Sequence, residues 1–363
     1  MAVLETSLNR ESNTRRLIMG AAIFLLLVLV GLIIVKWWPY WNKAHVAAQT
    51  HSIGASIISG KSVTPQAVGI SAAWHYTLAY FTSVWQAVVL ALLLGASIQI
   101  LVPRQWLMKV LGSDGAKSAT IAGAASLAGM MCTCCAAPIV VGMRRQRVSM
   151  GSALAFLLGN PVLNPATLIF MGFVLGWVFA GIRLAFGLLL VAGVAWIANR
   201  YARKQVRTEV THEYEPSAIE DPRRTPASIA GAWFKELWFE MYTLLPGYIA
   251  IVLALGAVRA WLFPPGLTLH ASGIGATTLL AAVGSLFVIP TAGEVPIVQT
   301  LMKAGMGPGP ATALLLTLPA ISLPSLFIVR KVFPGRLLAI VLACVFVAGL
   351  AAGITAMIVL RAH

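Results

Sequence analysis

The sequence predicts an all-α, polytopic membrane protein. We expect two inverted repeats, each of three spans plus a re-entrant broken-helix hairpin, with one extra N-terminal span. Three observations predict this. The chain is 59% hydrophobic and 10% charged, with a mean hydropathy of +0.87, whereas soluble domains carry roughly 25% charged residues. Its second half repeats its first at a fixed offset. Its 26 Lys and Arg residues sort to one side of a membrane only if two apolar stretches turn back inside it.

The elements follow in order. Arg10, Arg15 and Arg16 precede an apolar run from Leu17 to Val35. The run is longer than a signal-peptide core and lacks a close cleavage site, so it is expected to remain as the first span. Residues 36–75 are polar, with His and Trp, and are expected at the interface or outside; with the first span they form an N-terminal unit, 1–75. A span over about 77–102 opens the first repeat, 76–199. A basic connection (Arg104, Lys109, Lys117) then leads through the small-residue stretch Ala119–Met131 to Cys132, Cys134 and Cys135. Arg144, Arg145 and Arg147 follow. Residues 149–179 read as a span interrupted at Asn160-Pro161 and Asn164-Pro165, and 181–199 as the next span. The basic linker 200–235, with Pro216, Pro222 and Pro226, is the clear boundary before the second repeat, 236–363.

Shifting the chain by 158 residues lays Pro138-Ile139-Val140 on Pro296-Ile297-Val298. Gly151, Ala153, Ala155, Leu157, Leu158, Pro161 and Leu168 fall on Gly309, Ala311, Ala313, Leu315, Leu316, Pro319 and Leu326 without a gap. Shared apolar composition explains leucines more easily than coinciding prolines and glycines. Charge then chooses between two threadings of 118–143 and 276–304. As re-entrant hairpins, with a cytoplasmic N-terminus, they leave 19 of the 26 basic residues inside; as full spans they leave 11 inside and export the basic linker. The positive-inside tendency favours hairpins. Three spans per repeat is an odd number, so the second repeat enters upside down. Inverted repeats with broken helices belong to secondary transporters, and the expected location is the cell (inner) membrane, with the lipid bilayer as partner.

Helix breakers, thiols and amides at membrane depth are tolerated where they are buried in protein or line a cavity. Pro138 reads as the start of a returning half-helix, with Cys134 and Cys135 just upstream, where unpaired amides favour thiolate character. C-x-C-C supplies three soft ligands for one thiophilic centre. A structural zinc site wants four, and a fourth ligand is not evident nearby, so no metal or other cofactor is expected. Isolated membrane cysteines are mostly small buried hydrophobes, and Cys344 is read that way. Asn160 and Asn164 read equally as N-caps ahead of Pro161 and Pro165 and as substrate ligands. In the second repeat these positions are Leu318 and Ser322, which makes a pocket between the halves chemically lopsided. Glu294, just ahead of Pro296, is a costly carboxylate and so a candidate for proton coupling or substrate binding. Thr291 and Gln299 are weaker companions, and Pro319 marks the break matching Pro161. Asp114, Arg183 and Arg259 fall near span ends and are expected to be solvated. The net charge of +15 lies mostly in loops and juxtamembrane ends, which argues against nucleic acid as a partner.

The C-x-C-C-x-x-P of Cys132–Pro138, the turn MRRQR, the run SALAFLLGNPVLNP and the second-half GEVPIVQTLMKAGMGPGPATALLLTLPAISLPSL together resemble the predicted bacterial and archaeal permeases that include the ArsP-type organoarsenical efflux permeases. The resemblance covers most of 77–360. It implies a transporter rather than an enzyme, with Cys132, Cys134 and Cys135 at motif positions. The leading expectation is a proton-coupled secondary transporter for a small solute, with a thiol-reactive one such as a trivalent organoarsenical as the example, in which Cys134→Ser and Glu294→Gln each abolish transport. A transmembrane thiol–disulfide carrier is the alternative, weakened because the second hairpin has Pro290, Ala292 and Gly293 where the first has cysteines. A membrane scaffold without transport is a third reading.

Overall fold

A computed structural model of the protein describes residues 2–54, 69–205, 219, 225–262 and 272–360. Lys61, Arg361, Pro216 and Pro222 lie outside these, as does the side chain of Arg259. The described chain is helical, without strands, and seven of its helical stretches are long and apolar enough to cross a membrane: Arg16–Thr50, Ala73–Ile100, Met150–Val174, Trp177–Lys204, Pro226–Val258, Pro308–Val329 and Gly335–Val359.

The N-terminal helix differs from expectation. It does not stop at Val35 but runs as α1 (Ala2–Leu32) through a π-helical turn, Ile33–Trp37, into α2 (Trp38–Thr50). Hydropathy ends the span at its first charge, Lys36, whereas backbone hydrogen bonding carries the helix on for about four more turns. α3 (Ile70–Ile100) and α4 (Arg104–Leu111) follow. The small-residue stretch forms α5 (Ala116–Gly129), the cysteine stretch α6 (Thr133–Arg145), and the interrupted span α7 (Met150–Val162) and α8 (Pro165–Val174). α9 (Trp177–Gln205) and α10 (Pro226–Leu262) extend into the expected linker from both sides. The second half continues with α11 (Gly273–Gly284), α12 (Glu294–Lys303), α13 (Pro308–Ala320), α14 (Leu323–Val329) and α15 (Gly335–Val359). At 1.5 Å per residue, α5, α6, α11 and α12 are each about 15–21 Å long, too short to cross ~30 Å of hydrocarbon alone.

Local chemistry sets these ends. Ser149 accepts from Ser152 N to start α7, and Asn164 accepts from Thr167 N to start α8 with Pro165 in its first turn. Ser322 and Ser325 form a capping box that starts α14. The first hairpin turns at Met130 (φ 47°) and the second at Ala292 (φ 64°), both in the left-handed region that side chains rarely adopt. The extended stretch before Ala292 keeps its carbonyls partnered: Tyr76 Oη donates to Val288 O at 2.6 Å and Leu323 N to Leu286 O at 3.1 Å. Irregular backbone here is thus buried in protein.

The 158-residue offset is written into the helix ends. It carries the end of α6 (145) onto that of α12 (303), both ends of α7 (150, 162) onto those of α13 (308, 320), and the starts of α8 and α9 (165, 177) onto those of α14 and α15 (323, 335). Packing follows the same scheme. α5 packs on α7 as α11 does on α13, α7 on α9 as α13 on α15, and the halves cross over, α6 against α14 and α8 against α12. Close approaches recur with their partners exchanged. A Cβ on Gly159 would lie 2.2 Å from Ser126 Oγ, and one on Gly284 2.2 Å from Thr317 Oγ1. Ser126 and Gly284 are matched by the offset, as are Gly159 and Thr317.

Candidate functional site

Four helix breaks meet at one place, where the crossing pairs α6/α14 and α8/α12 bring both halves together. Between them lies a narrow crevice of only about 10 Å³, room for roughly one water, lined by Cys132, Thr133, Thr167, Thr291, Glu294 and Ser322 among others, with Pro161 and Pro319 from the two broken helices.

The cysteines sit differently from expectation. α6 starts at Thr133, five residues before Pro138, so Cys132 is the N-cap and Cys134 and Cys135 stand in the first turn, with Pro138 inside the helix. The second hairpin is similar: α12 starts at Glu294 and Pro296 is its third residue. Pro296 falls among the first amides, which have no intrahelical partner, whereas Pro138 is the sixth residue of α6, past them, and leaves the carbonyl of Cys134 without its helical donor. Cys132 Sγ lies 3.1 Å from Cys134 Sγ and 3.0 Å from Cys135 Sγ. All three thiols fall within 4.8 Å of one another and are buried, and among the described residues no fourth Cys, His or carboxylate joins them. Tyr80 Oη lies 2.9 Å from Cys134 Sγ and 2.7 Å from Tyr248 Oη, tying α6 to α3 and α10. Cys344 is half-buried on α15, far from this cluster in the sequence and outside its group of ligands.

Arg183 requires a correction. It was expected to be solvated near a span end, but it is fully buried and its Nη1 lies 2.7 Å from Glu294 Oε1. Its Nη2 donates to Pro161 O at 2.7 Å and its Nε to Val162 O at 3.2 Å. These carbonyls are left open where α7 breaks, and a guanidinium both satisfies them and matches the negative helix end. Arg183 thus bolts the first half's broken helix to the second half's carboxylate. Glu294 Oε2 is buried without a hydrogen-bond partner, as is Asn164 Nδ2.

The amides separate. Asn164 caps α8, as expected. Asn160 is not an N-cap: it lies inside α7, where its Nδ2 donates to Phe156 O at 2.9 Å and its Oδ1 accepts from Met131 N at the hairpin tip at 3.4 Å. Pro161 is inside the same helix, and only Pro165 opens one. The halves are less lopsided than expected, since Ser322 caps α14 just as Asn164 caps α8. Gln299 is not part of the crevice; its Nε2 donates to His51 O at 2.8 Å at the end of α2.

Lys36 and the two tyrosines are residues the sequence did not single out. Lys36, in the π-turn, is buried and its Nζ donates to Tyr40 Oη and Thr291 Oγ1, each at 3.4 Å. Its signal was the Lys36–Tyr40 spacing of four, which places both on one helix face. Tyr80 and Tyr248 look like core aromatics in apolar runs, and nothing in their spacing reveals a shared thiol.

A family model described as a predicted permease matches residues 69–358. The chain belongs to this ArsP-type predicted permease family. It is 49% identical over 337 residues to the UPF0718 protein YraQ of Escherichia coli K12, covering 92% of this chain and 93% of the relative. It is 24% identical over 306 residues to the UPF0718 protein MJ0584 of Methanocaldococcus jannaschii, covering 68% of this chain and 84% of that protein. No solved structure matches the chain. A predicted permease with seven candidate spans is a multi-pass membrane protein, and a transporter fits it better than an enzyme. In this permease the matched region includes both hairpins, both broken helices, the thiol cluster and the Arg183–Glu294 pair.

Proposed function

We propose that this permease is a secondary transporter that carries a small thiol-reactive solute, such as a trivalent organoarsenical, past the crevice where its two hairpins meet, and couples that movement to protonation of Glu294. The buried Arg183–Glu294 pair at the edge of the thiol-lined crevice carries the reading. In it the halves are inverted repeats and 118–143 and 276–304 are re-entrant hairpins. The crossed packing of α6 with α14 and α8 with α12 fits a two-fold between the repeats, and the odd number of spans per repeat is the argument for laying that axis in the membrane plane. Two of the seven basic residues counted as outside, Lys36 and Arg183, are buried in the site and leave the loop count, which sharpens the bias towards a cytoplasmic N-terminus.

A trivalent arsenical with two hydroxyls exchanges them for two thiols. Two As–O bonds break, two As–S bonds form, each thiol proton leaves with a hydroxide as water, and no oxidant is needed. Cys132 is the common neighbour of Cys134 and Cys135 and the cysteine that lines the crevice, so it belongs to either thiol pair. The exchange is reversible, as carriage requires. Protonating Glu294 removes the charge that holds Arg183, frees the broken end of α7 from α12, and lets one half move against the other. Breaking such a buried pair shifts an equilibrium by about 3–5 kcal/mol, on the scale that separates two conformations. The thiol–disulfide alternative needs a partner protein's thiol to reach cysteine residues that are 4%, 2% and 1% exposed, which argues against it.

The test is uptake of phenylarsonous acid into sealed vesicles under an imposed pH gradient. Wild-type flux should depend on the gradient, and Cys132→Ser and Glu294→Gln should each abolish it while inserting normally. Wild-type flux from both variants would sink the assignment.

A further inference from the structure

Beside the crevice lies a second, larger cavity of about 480 Å³. The two share Pro290, Thr291 and Ala292, so the larger one is the vestibule of the smaller. Its wall is built by the N-terminal helix, α3 and the second hairpin, and it holds Lys36, Tyr40 and Lys43. Lys43 is exposed and stands towards the mouth, while Lys36 is 4% exposed.

Lys36 is the anomaly. The other cation deep in the site, Arg183, is neutralised by Glu294. Among the described residues no carboxylate forms an ion pair with Lys36, whose contacts are two hydroxyls at a long 3.4 Å and the ring of Tyr40, its centroid 5.3 Å from Nζ. A buried ammonium with no counter-charge costs several kcal/mol, and a charge inside a membrane segment marks a substrate path by default. The backbone adds a second, independent observation. The π-turn Ile33–Trp37 interrupts the helix at this residue and lies in the same helix as the buried face of Leu32, Lys36, Tyr40 and Ala47. Such turns concentrate at functional sites because they re-aim side chains. Thr291, the hydroxyl beside Lys36 Nζ, lines both cavities and so stands at the passage between them.

We propose that Lys36, with the hydroxyls of Tyr40 and Thr291, is an anion-binding subsite at the neck of the vestibule, so that the permease takes a solute carrying an anionic group (carboxylate, phosphonate or oxyanion) as well as a thiol-reactive centre. The anion supplies the charge Lys36 lacks, and its reactive centre then faces Cys132 in the adjoining crevice. Lys43 at the mouth raises the local concentration of anions before they are desolvated. This rests on the transport reading above, and the experiment separates the two.

The full chain, reconstituted in liposomes, is offered phenylarsonous acid, which is neutral, and 4-carboxyphenylarsonous acid, which differs by one carboxylate. The readout is the ratio of their initial rates, which cancels any loss of folded protein in a variant. Wild type should favour the carboxylated probe by about tenfold or more, the scale of one charge-assisted hydrogen bond. Lys36→Met should bring the ratio to one or below, and Lys36→Arg should keep most of it. Equal rates in wild type, or a preference that survives in Lys36→Met, overturns the subsite and leaves thiol-dependent transport standing. Uptake of neither probe by wild type overturns the transport reading and the subsite with it.

Discussion

The first hairpin carries three clustered thiols, one of them, Cys132, lining the crevice, and no carboxylate; the second brings a carboxylate and no thiol. Yet the two turn alike, each at a residue with positive φ, and α6 and α12 end at residues 145 and 303, 158 apart. They diverge only at the tip: α6 starts at 133, whereas α12 starts at 294 after an extended stretch held by Tyr76 and Leu323. The frame is thus shared and the chemistry is divided. A soft-ligand site from one half and a charge switch from the other can act on the same solute without competing for the same helix end.

The largest expected effect comes from cutting the link between the halves. Arg183→Met leaves Glu294 buried and uncompensated, and should cost about 3–5 kcal/mol of stability. Glu294→Gln leaves Arg183 its bonds to Pro161 and Val162 carbonyls, so it should cost less while still ending pH-driven transport. The double variant Arg183→Met/Glu294→Met should recover much of the stability of Arg183→Met without recovering transport. Thermal unfolding in micelles gives the first ranking and vesicle uptake the second. A double variant no more stable than Arg183→Met would show that the pair is not the link.

Next come the thiols. Cys132→Ser should lower uptake of phenylarsonous acid at least tenfold, because Cys132 is shared by both thiol pairs, whereas Cys344→Ser should leave it unchanged. Equal loss in both would mean that the cluster has no special role. Smaller still are the matched caps. Asn164→Ala and Ser322→Ala should each cost about 1 kcal/mol, and Asn164→Ser should recover most of its loss if capping is the main role of Asn164. A melting series decides; if Asn164→Ser keeps its stability but loses transport, the unpaired Nδ2 of Asn164 touches solute.

Much of the frame was legible because its signals are local. Apolar length gave the seven spans, and coinciding prolines and glycines gave the offset that the helix ends obey. Glu294 and the cysteines stood out because such groups are rare at membrane depth. Arg183 was not legible, because a charge near the end of an apolar run looks solvated until the broken end of α7 is seen to need donors. Lys36 was missed because hydropathy ends a span at its first charge, although the helix runs on to Thr50 and turns that charge inward. Asn160 was misassigned because Asn-Pro fits a helix start, while here the break falls after Val162. The misses at Arg183 and Lys36 each involve a partner far away in the chain, Glu294 and Thr291.

The finest test of the shared frame lies in its packing. Small residues let membrane helices approach closely, and the two halves achieve this with complementary triplets. In the first half Ser126, Gly159 and Val191 stand where the second has Gly284, Thr317 and Gly349. Ser126 fills the space over Gly159, and Val191 Cγ1 is 3.9 Å from where a Cβ on the neighbouring Gly123 would sit. In the second half Thr317 fills both spaces, its Oγ1 over Gly284 and its Cγ2 2.2 Å from a Cβ built on Gly349. Gly284→Ser alone therefore drives a side chain into Thr317 and should cost about 1–3 kcal/mol. Adding Thr317→Gly relieves that clash but opens a void at Gly349 and places a glycine within α13, worth about 1 kcal/mol against it. Adding Gly349→Val fills the void and rebuilds the first half's triplet inside the second. The triple variant should melt closer to wild type than either the single or the double, a non-additivity that only contacting residues show. If the three effects simply add, the halves share helix ends without sharing a way of packing, and their resemblance stops at topology.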